Sequence, residues 1–351
     1  SRLGNFRIAD LQKLLWDEKK LFEYWTPIAS LVLTEDYPIY NSLMKRYPGS
    51  LSGSWKSHET RARKFLADHR QLRTKVLNQL KKGPLQVGGF AEHLPKKSLD
   101  GWTPASTVSR MLFHLHMTGD IMVVGHQGNQ NLWGLTDTFL PDWVERKEVS
   151  EEEYERQAAQ RAILALGIST ASEINYYFVR GRYKNLKTTL AKLVEEGEIH
   201  RIDIDGMGKK EERYVHSKDL SLLQSVSKDF EPRMSFIAPF DNLIAGRQRT
   251  NRLFGFDYVH EQFLPKEKRR YGTYVLPILW GEELIGRADM RLDKQSQTLE
   301  IISLHAQPST PDDKEIPSKI KETMEQFGEF LGTRQVAYSS RVPRAWRSAL
   351  H

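Results

Sequence analysis

The chain holds 351 residues, with 52 Lys and Arg against 45 Asp and Glu, a formal charge of +7 and a pI near 9.3. Its 39% hydrophobic and 28% charged residues suit two or three packed domains and exclude wholesale disorder. Zero cysteines exclude disulfides, thiolate zinc sites and a cysteine nucleophile.

The chain opens on Ser1 and runs directly into dense apolar sequence. Such a start predicts a processed N-terminus or a missing N-terminal segment. Leu11, Leu14, Leu15 and Trp16 are spaced for one helical face, and Leu21, Phe22 and Trp25 continue the apolar content. Residues 1–60 therefore read as helices, with a second helix from Asp36 to Tyr47 stopped by Pro48-Gly49.

Two similar units follow. In the first, a helix through Leu72, Val76, Leu77 and Leu80 ends at Gly83-Pro84, and a short apolar piece runs from Leu85 to Val87. Thr103 is placed to cap a helix with Pro104 at its first position and Val108, Met111, Leu112 and Leu115 on its buried face. A hairpin then turns at Gln127-Gly128-Asn129. In the second unit a helix through Ile163, Leu164 and Leu166 ends at Gly167. Thr170 to Glu173 forms a capping box, Leu186, Leu190, Leu193 and Val194 form a helix face, and a hairpin turns at Asp205 to Gly208. Val108, Leu112, Leu115 and Gly119 match Leu186, Leu190, Leu193 and Gly197 at one constant offset, which predicts a duplication in winged-helix order. The acidic connection holding Glu145, Glu148, Glu151, Glu152, Glu153 and Glu155 reads as a solvated helix start.

From Phe236 onward strands take over: Tyr271 to Leu279, Leu284 to Ala288 and Thr298 to Leu304, with turns at Gly281 to Glu283 and Asp293 to Gln297. A last helix carries Ile320, Met324, Phe327 and Leu331. The expected architecture is α+β: tandem winged-helix domains followed by a C-terminal β-barrel-like domain with a terminal helix. The boundaries are 1–60, 61–145, 146–228 and 229–351.

Catalytic motifs are absent from the residue pattern. His260-Glu261 lacks the second histidine of a zinc helix, and neither a phosphate-binding loop nor a nucleophile elbow occurs. Basic clusters are more informative. Arg61 to Lys82 holds eight basic residues against Asp68. Arg247, Arg249 and Arg252 form a second cluster, and Lys266, Lys268, Arg269 and Arg270 lie beside Tyr271 and Tyr274. Arg180, Arg182, Lys184 and Lys187 lead into a third helix that would face the major groove in a winged helix. Arg110, Lys184, Arg247, Arg269 and Arg270 are the expected DNA contacts.

Several stretches resemble the YcaQ/AlkZ family of bacterial DNA glycosylases. They are Pro239-Phe-Asp-Asn-Leu-Ile, Arg252-Leu-Phe-Gly-Phe-Asp-Tyr258, Pro265-Lys-Glu-Lys-Arg-Arg-Tyr-Gly272, Val275-Leu-Pro-Ile-Leu-Trp-Gly281 and Gly286-Arg-Ala-Asp289, with Ser1-Arg-Leu-Gly4, Leu21-Phe-Glu-Tyr-Trp25 and Ala29 to Tyr37 near the start. The resemblance implies tandem winged helices, with residues 1–60 the remainder of the first, 61–145 the second and 146–228 the third, and a β-rich domain arranged with them around a cleft for DNA. It also implies hydrolysis of the N-glycosidic bond of N7-alkylated purines and unhooking of interstrand crosslinks. The family's catalytic Gln-hydrophobic-Gln or Gln-hydrophobic-Asp lies before its Ser-Arg-Leu-Gly stretch, which here begins at Ser1, so that pair is expected to precede this chain. Gln295-Ser-Gln297 has the wrong centre and lies in the wrong domain.

The catalytic residues are thus unassigned, with Glu23 and Asp241 as the weaker carboxylate candidates. Glu23 is expected to be partly buried by Phe22, Tyr24 and Trp25. Asp241 and Asn242 are candidates for a polar constellation near the cleft or for capping the loop after Pro239. The expected partner is double-stranded DNA carrying alkylation damage or crosslinks, with no membrane, cofactor or metal, in a cytoplasmic monomer. The alternative is a non-catalytic tandem winged-helix DNA-binding protein or transcriptional regulator.

Overall fold

The computed structural model describes residues 6–26, 29–49, 56–93, 104–179, 181–205, 211–225, 230–339 and 341–350. They fall into two compact units, Asn5–Leu220 and, chiefly, Ser221–His351.

In the first unit α1 (Ile8–Gln12) continues as a π-helical turn to Asp17 and precedes a hairpin of β1 (Leu21–Trp25) and β2 (Ala29–Leu33). The helical reading of Leu21, Phe22 and Trp25 is corrected: these residues pair with Leu33, Val32 and Ala29 across an antiparallel ladder. Side chains alternate along a strand, so Phe22 and Tyr24 enter the core while Leu21, Glu23 and Trp25 take the other face. A short aromatic-rich run fits either period, and pairing decides between them. The expected second helix is present as α2 (Tyr37–Arg46).

Both repeats form. The first comprises α3 (Lys56–Asp68), α4 (Arg70–Leu80), α5 (Pro104–Met117) and the hairpin β3 (Ile121–Gln127) and β4 (Gln130–Leu135). After the short α6 (Thr136–Phe139), the second comprises α7 (Glu151–Leu166), β5 (Ser169–Thr170), α8 (Ala171–Tyr177), α9 (Leu186–Glu195), β6 (Ile199–Ile202) and β7 (Arg213–His216). The capping box is closed in both directions between Thr170 and Glu173. Gly119 and Gly197 end α5 and α9 at φ +75° and +73°, a left-handed conformation that glycine adopts without steric cost. In each repeat a short segment between two helices joins the second hairpin strand. Leu85 exchanges backbone hydrogen bonds with Trp133 at 3.0 and 2.9 Å, and β5 pairs with β7. Thr103, Arg180 and the tip at Gly206 to Gly208 lie outside the described residues.

One core collects Phe22, Tyr24 and Tyr40 from the N-terminal part, Met117 and Met122 from the first repeat, Phe139 from α6, and Tyr154, Ala158 and Val179 from the second repeat. Helix α7 braces it. Arg161 bonds Asp36 and Glu35 at 2.6 Å each, and Arg46 pairs with Glu151 at 2.8 Å while lying 4.5 Å over the Tyr154 ring. The acidic connection is therefore not uniformly solvated. Glu155 is buried, and its carboxylate accepts the N–H groups of Lys184 and Asn185 and the Thr189 hydroxyl. It satisfies orphan donors at the start of α9 from a different helix.

Helix α10 (Leu220–Ser225) leads onward. The second unit contains β8 (Met234–Phe236), α11 (Arg247–Phe254), β9 (Val275–Trp280), β10 (Glu283–Asp293), β11 (Thr298–Ala306), α12 (Ile316–Phe330), β12 (Gln335–Tyr338) and α13 (Arg347–Leu350). The strand order is β12-β11-β10-β9-β8, antiparallel except for the parallel β11–β12 pair. The expected barrel-like domain is a five-stranded sheet curled into a half-barrel, with β8 and β12 at its edges. Ile278, Ala288, Leu299 and Ile301 pack with Ile320 and Met324 of α12 and with Trp346. A second cluster holds Ile237, Ile244, Phe256, Tyr258 and Leu284.

Candidate functional site

In the first unit Glu23 meets His126. The alternation of β1 turns Glu23 away from the core, opposite Leu31 on β2, and His126 reaches it from β3 with Nε2 at 3.0 Å from Oε1. Trp16 stands edge-on to the imidazole at 5.5 Å. Trp25, Leu31 and Leu33 share this face of the hairpin and are exposed. Glu23 is half-buried, as expected, but strand geometry sets its environment: Phe22 and Tyr24 point the other way. A carboxylate held by an imidazole on an apolar face can position water and take its proton.

Arg110, on α5, lays its guanidinium 4.4 Å over the Phe65 ring. Its neighbour His114 hydrogen-bonds Tyr47 Oη at 2.7 Å, and burial together with Arg110 pushes the imidazole down to about 4. Burial alone takes His116, hydrogen-bonded to the Ile121 carbonyl, to about 4. On α3 and α4 the apolar positions Ala62, Phe65 and Val76 turn inward, so Arg61, Lys64, Arg70, Arg73 and Lys75 form a solvent-facing basic surface. Lys184, just ahead of α9, is exposed and pairs with Glu151 at 2.5 Å.

The other expected residues lie in the second unit. Asp241 accepts the Leu243 N–H on Oδ1 at 2.9 Å, and its carbonyl accepts those of Ile244 and Ala245 at 3.0 and 2.8 Å. That is the capping arrangement, and half-buried Asn242 lies in the same turn. Arg247 opens α11 and forms a bidentate pair with Asp257 at 2.8 and 3.1 Å. Arg269 donates to the Leu264 and Gln262 carbonyls at 2.9 and 3.2 Å and to Thr273 Oγ1 at 3.1 Å, which pins its own loop. Arg270 is exposed, 5.0 Å from the Tyr271 ring.

A buried polar cluster beside these arginines escaped the sequence reading. Arg287, on β10, lies between two rings, 3.9 Å from Phe256 and 4.4 Å from Tyr271, and donates to the Asp257 carbonyl at 2.6 Å. Burial lowers its pKa. Two positions along the strand, burial raises the Asp289 carboxyl. Glu261 Oε2 accepts the N–H groups of Tyr271 and Gly272 at 2.8 and 3.1 Å. His305 stands edge-on to Tyr271 at 5.2 Å and is lowered by burial and by Arg287. Together these groups fix the turn that presents Arg269 and Arg270. Two charges at alternate positions of the apolar strand 284–289 were the available signal.

Among the described residues no group of three or more His, Asp or Glu side chains is placed to hold a metal ion, and no helix is long and apolar enough to cross a membrane. A family model described as "DNA glycosylase AlkZ-like" matches residues 1–330. Among solved structures, the fold is similar to that of the Streptomyces sahachiroi DNA glycosylase AlkZ, with a TM-score of 0.63 at 16% identity, covering 97% of this chain and 86% of that one.

Proposed function

Because the chain belongs to the AlkZ-like DNA glycosylase family, whose members are DNA-repair glycosylases, we propose that it acts on N7-alkylated purines in duplex DNA, including those bridged in interstrand crosslinks. Each helix–hairpin repeat serves as a winged helix, with α5 and α9 toward the duplex and Arg110 and Lys184 near its phosphates. Arg247, Arg269 and Arg270 are assigned to the same partner, Arg270 by direct contact and Arg269 by holding the loop.

An N7-alkylated purine already carries positive charge, so it departs without general-acid help. The remaining work is to stabilise an oxocarbenium-like sugar and to deliver water. The observation that carries this reading is Glu23, a half-buried carboxylate held at 3.0 Å by His126 on an exposed apolar face. Its negative charge suits the developing sugar cation, and it accepts the proton that water loses as the C1′–O bond forms.

The test is base release from duplex DNA carrying an N7-alkylguanine, scored as alkali-sensitive strand cleavage. Release is the expected result. Salt-dependent DNA binding with no release from monoadducts or crosslinks would instead make the protein a binding factor.

A further inference from the structure

His260 sits among three aromatic side chains that the fold leaves in the open. Its ring is edge-on to Phe240 at 5.4 Å, Phe263 at 5.2 Å and Tyr274 at 5.5 Å. Phe263 is 76% exposed, Phe240 52% and Tyr274 44%. Single exposed apolar residues are ordinary, but a contiguous aromatic group on the surface marks a contact site. Burial lowers the His260 pKa, so at neutral pH the ring group carries no charge of its own.

The loop bearing this group is braced. The Arg269 guanidinium ties the Gln262 and Leu264 carbonyls, on either side of Phe263, to Thr273, next to Tyr274. The buried Glu261 carboxylate holds the Tyr271 and Gly272 N–H groups, and Tyr258 Oη donates to the Val275 carbonyl at 2.9 Å. Phe263 and Tyr274 are therefore presented outward by a fixed backbone, and little ordering entropy remains to be lost when something stacks on them.

The charge around the rings is one-sided. Lys266, Lys268 and Arg270 are exposed on the same loop, against Glu267 as its exposed acid. Apolar protein contacts are depleted in lysine, whereas outward aromatic rings rimmed by lysine and arginine suit unstacked nucleic-acid bases with their phosphates. We infer that the Phe240, Phe263 and Tyr274 rings form a stacking platform for a base that has left the DNA duplex stack, with Lys266, Lys268 and Arg270 on the flanking phosphates. The inference rests on the reading that the protein acts on DNA, and adds where a displaced base is received.

The test compares a duplex carrying 2-aminopurine as a single-base bulge with the fully paired duplex, by anisotropy and by 2-aminopurine quenching. The wild-type protein prefers the bulge and quenches its fluorescence. Phe263→Ala lowers bulge affinity about 10-fold, abolishes the quenching and leaves paired-duplex affinity within about twofold and thermal unfolding unchanged. Tyr274→Leu behaves likewise, and Tyr274→Phe restores the wild-type result. Lys266→Gln with Lys268→Gln lowers the slope of log affinity against log salt by about 2 on both duplexes. Unaltered bulge binding by Phe263→Ala and by Tyr274→Leu would overturn the platform while leaving the DNA reading intact. A variant effect on self-association rather than on DNA would also overturn it. Wild-type protein that binds neither duplex would remove the underlying reading as well.

Discussion

Glu155 on α7 accepts a hydrogen bond from the Thr189 hydroxyl of α9 at 3.0 Å, and the same carboxylate takes the N–H groups of Lys184 and Asn185. The residue at the N-cap of α9, Asn185, makes no side-chain cap bond of its own. One buried charge on a neighbouring helix does that work instead, and it fixes where α9 begins.

Glu155→Ala removes the acceptor of both N–H groups and leaves the buried Thr189 hydroxyl only the Asn185 carbonyl at 3.3 Å, at a cost on the order of 3 kcal/mol. Thermal unfolding followed by circular dichroism should show a fall of roughly 6 °C or more. A change of less than about 1 °C would remove the capping account.

His114 and His116 are held neutral in the fold, each pushed down to about 4, while in an unfolded chain histidine titrates near ~6.5. The folded state therefore disfavours the protonated form. Their stabilising contribution is complete above ~6.5 and is lost as the pH falls from there toward about 4, by up to about 3 kcal/mol for each residue. Urea unfolding across that range should show the decline, and His114→Gln with His116→Gln should flatten most of it. A wild-type stability that is level between neutral pH and about pH 4 would contradict the assignment.

What the sequence made legible was local. The Thr170–Glu173 cap, the faces of α5 and α9 and the long helix α12 all follow from i, i+3, i+4 spacing and cap chemistry, which neighbouring residues determine among themselves. The strand β1 was misread because Leu21, Phe22 and Trp25 are apolar at both strand and helix spacing, and only pairing with β2 separates the faces. β8 and β12 have 3 and 4 residues, too short to show a period. The Glu23–His126 pair and the Glu261–Arg287–Asp289 cluster join residues distant in sequence, and no spacing rule reports such neighbours. Asp241 was legible as either of two things, and the Leu243 N–H bond is the capping one.

Gly272 lies at φ +153°, and a Cβ there would come within 2.2 Å of the Asp289 carboxylate. Gly272→Ala should cost about 2–3 kcal/mol through backbone strain and this overlap. Removing the obstructing group with Asp289→Ala should make the pair of changes less than additive. Strict additivity in a double-mutant cycle read by denaturant unfolding would contradict the close approach.

Glu23 lies on the face of β1 opposite Phe22 and Tyr24, so Glu23→Gln should leave stability within about 0.5 kcal/mol. If this carboxylate positions the attacking water, single-turnover base release should fall on the order of 10²-fold with DNA affinity unchanged. Equal fall in binding and release would point to a docking role instead.

Phe22, Met122 and Tyr154 meet in one core although the chain brings them from three separate stretches. Neither helix–hairpin unit is consequently one that can be exchanged alone. Grafting one repeat from a relative into this chain would carry only part of an interior with it, and the recipient would have to supply matching shapes on both flanks. Such chimaeras should tolerate swaps of whole N-terminal blocks spanning both repeats far better than swaps of either alone, and drift at these three positions is expected to be concerted rather than independent.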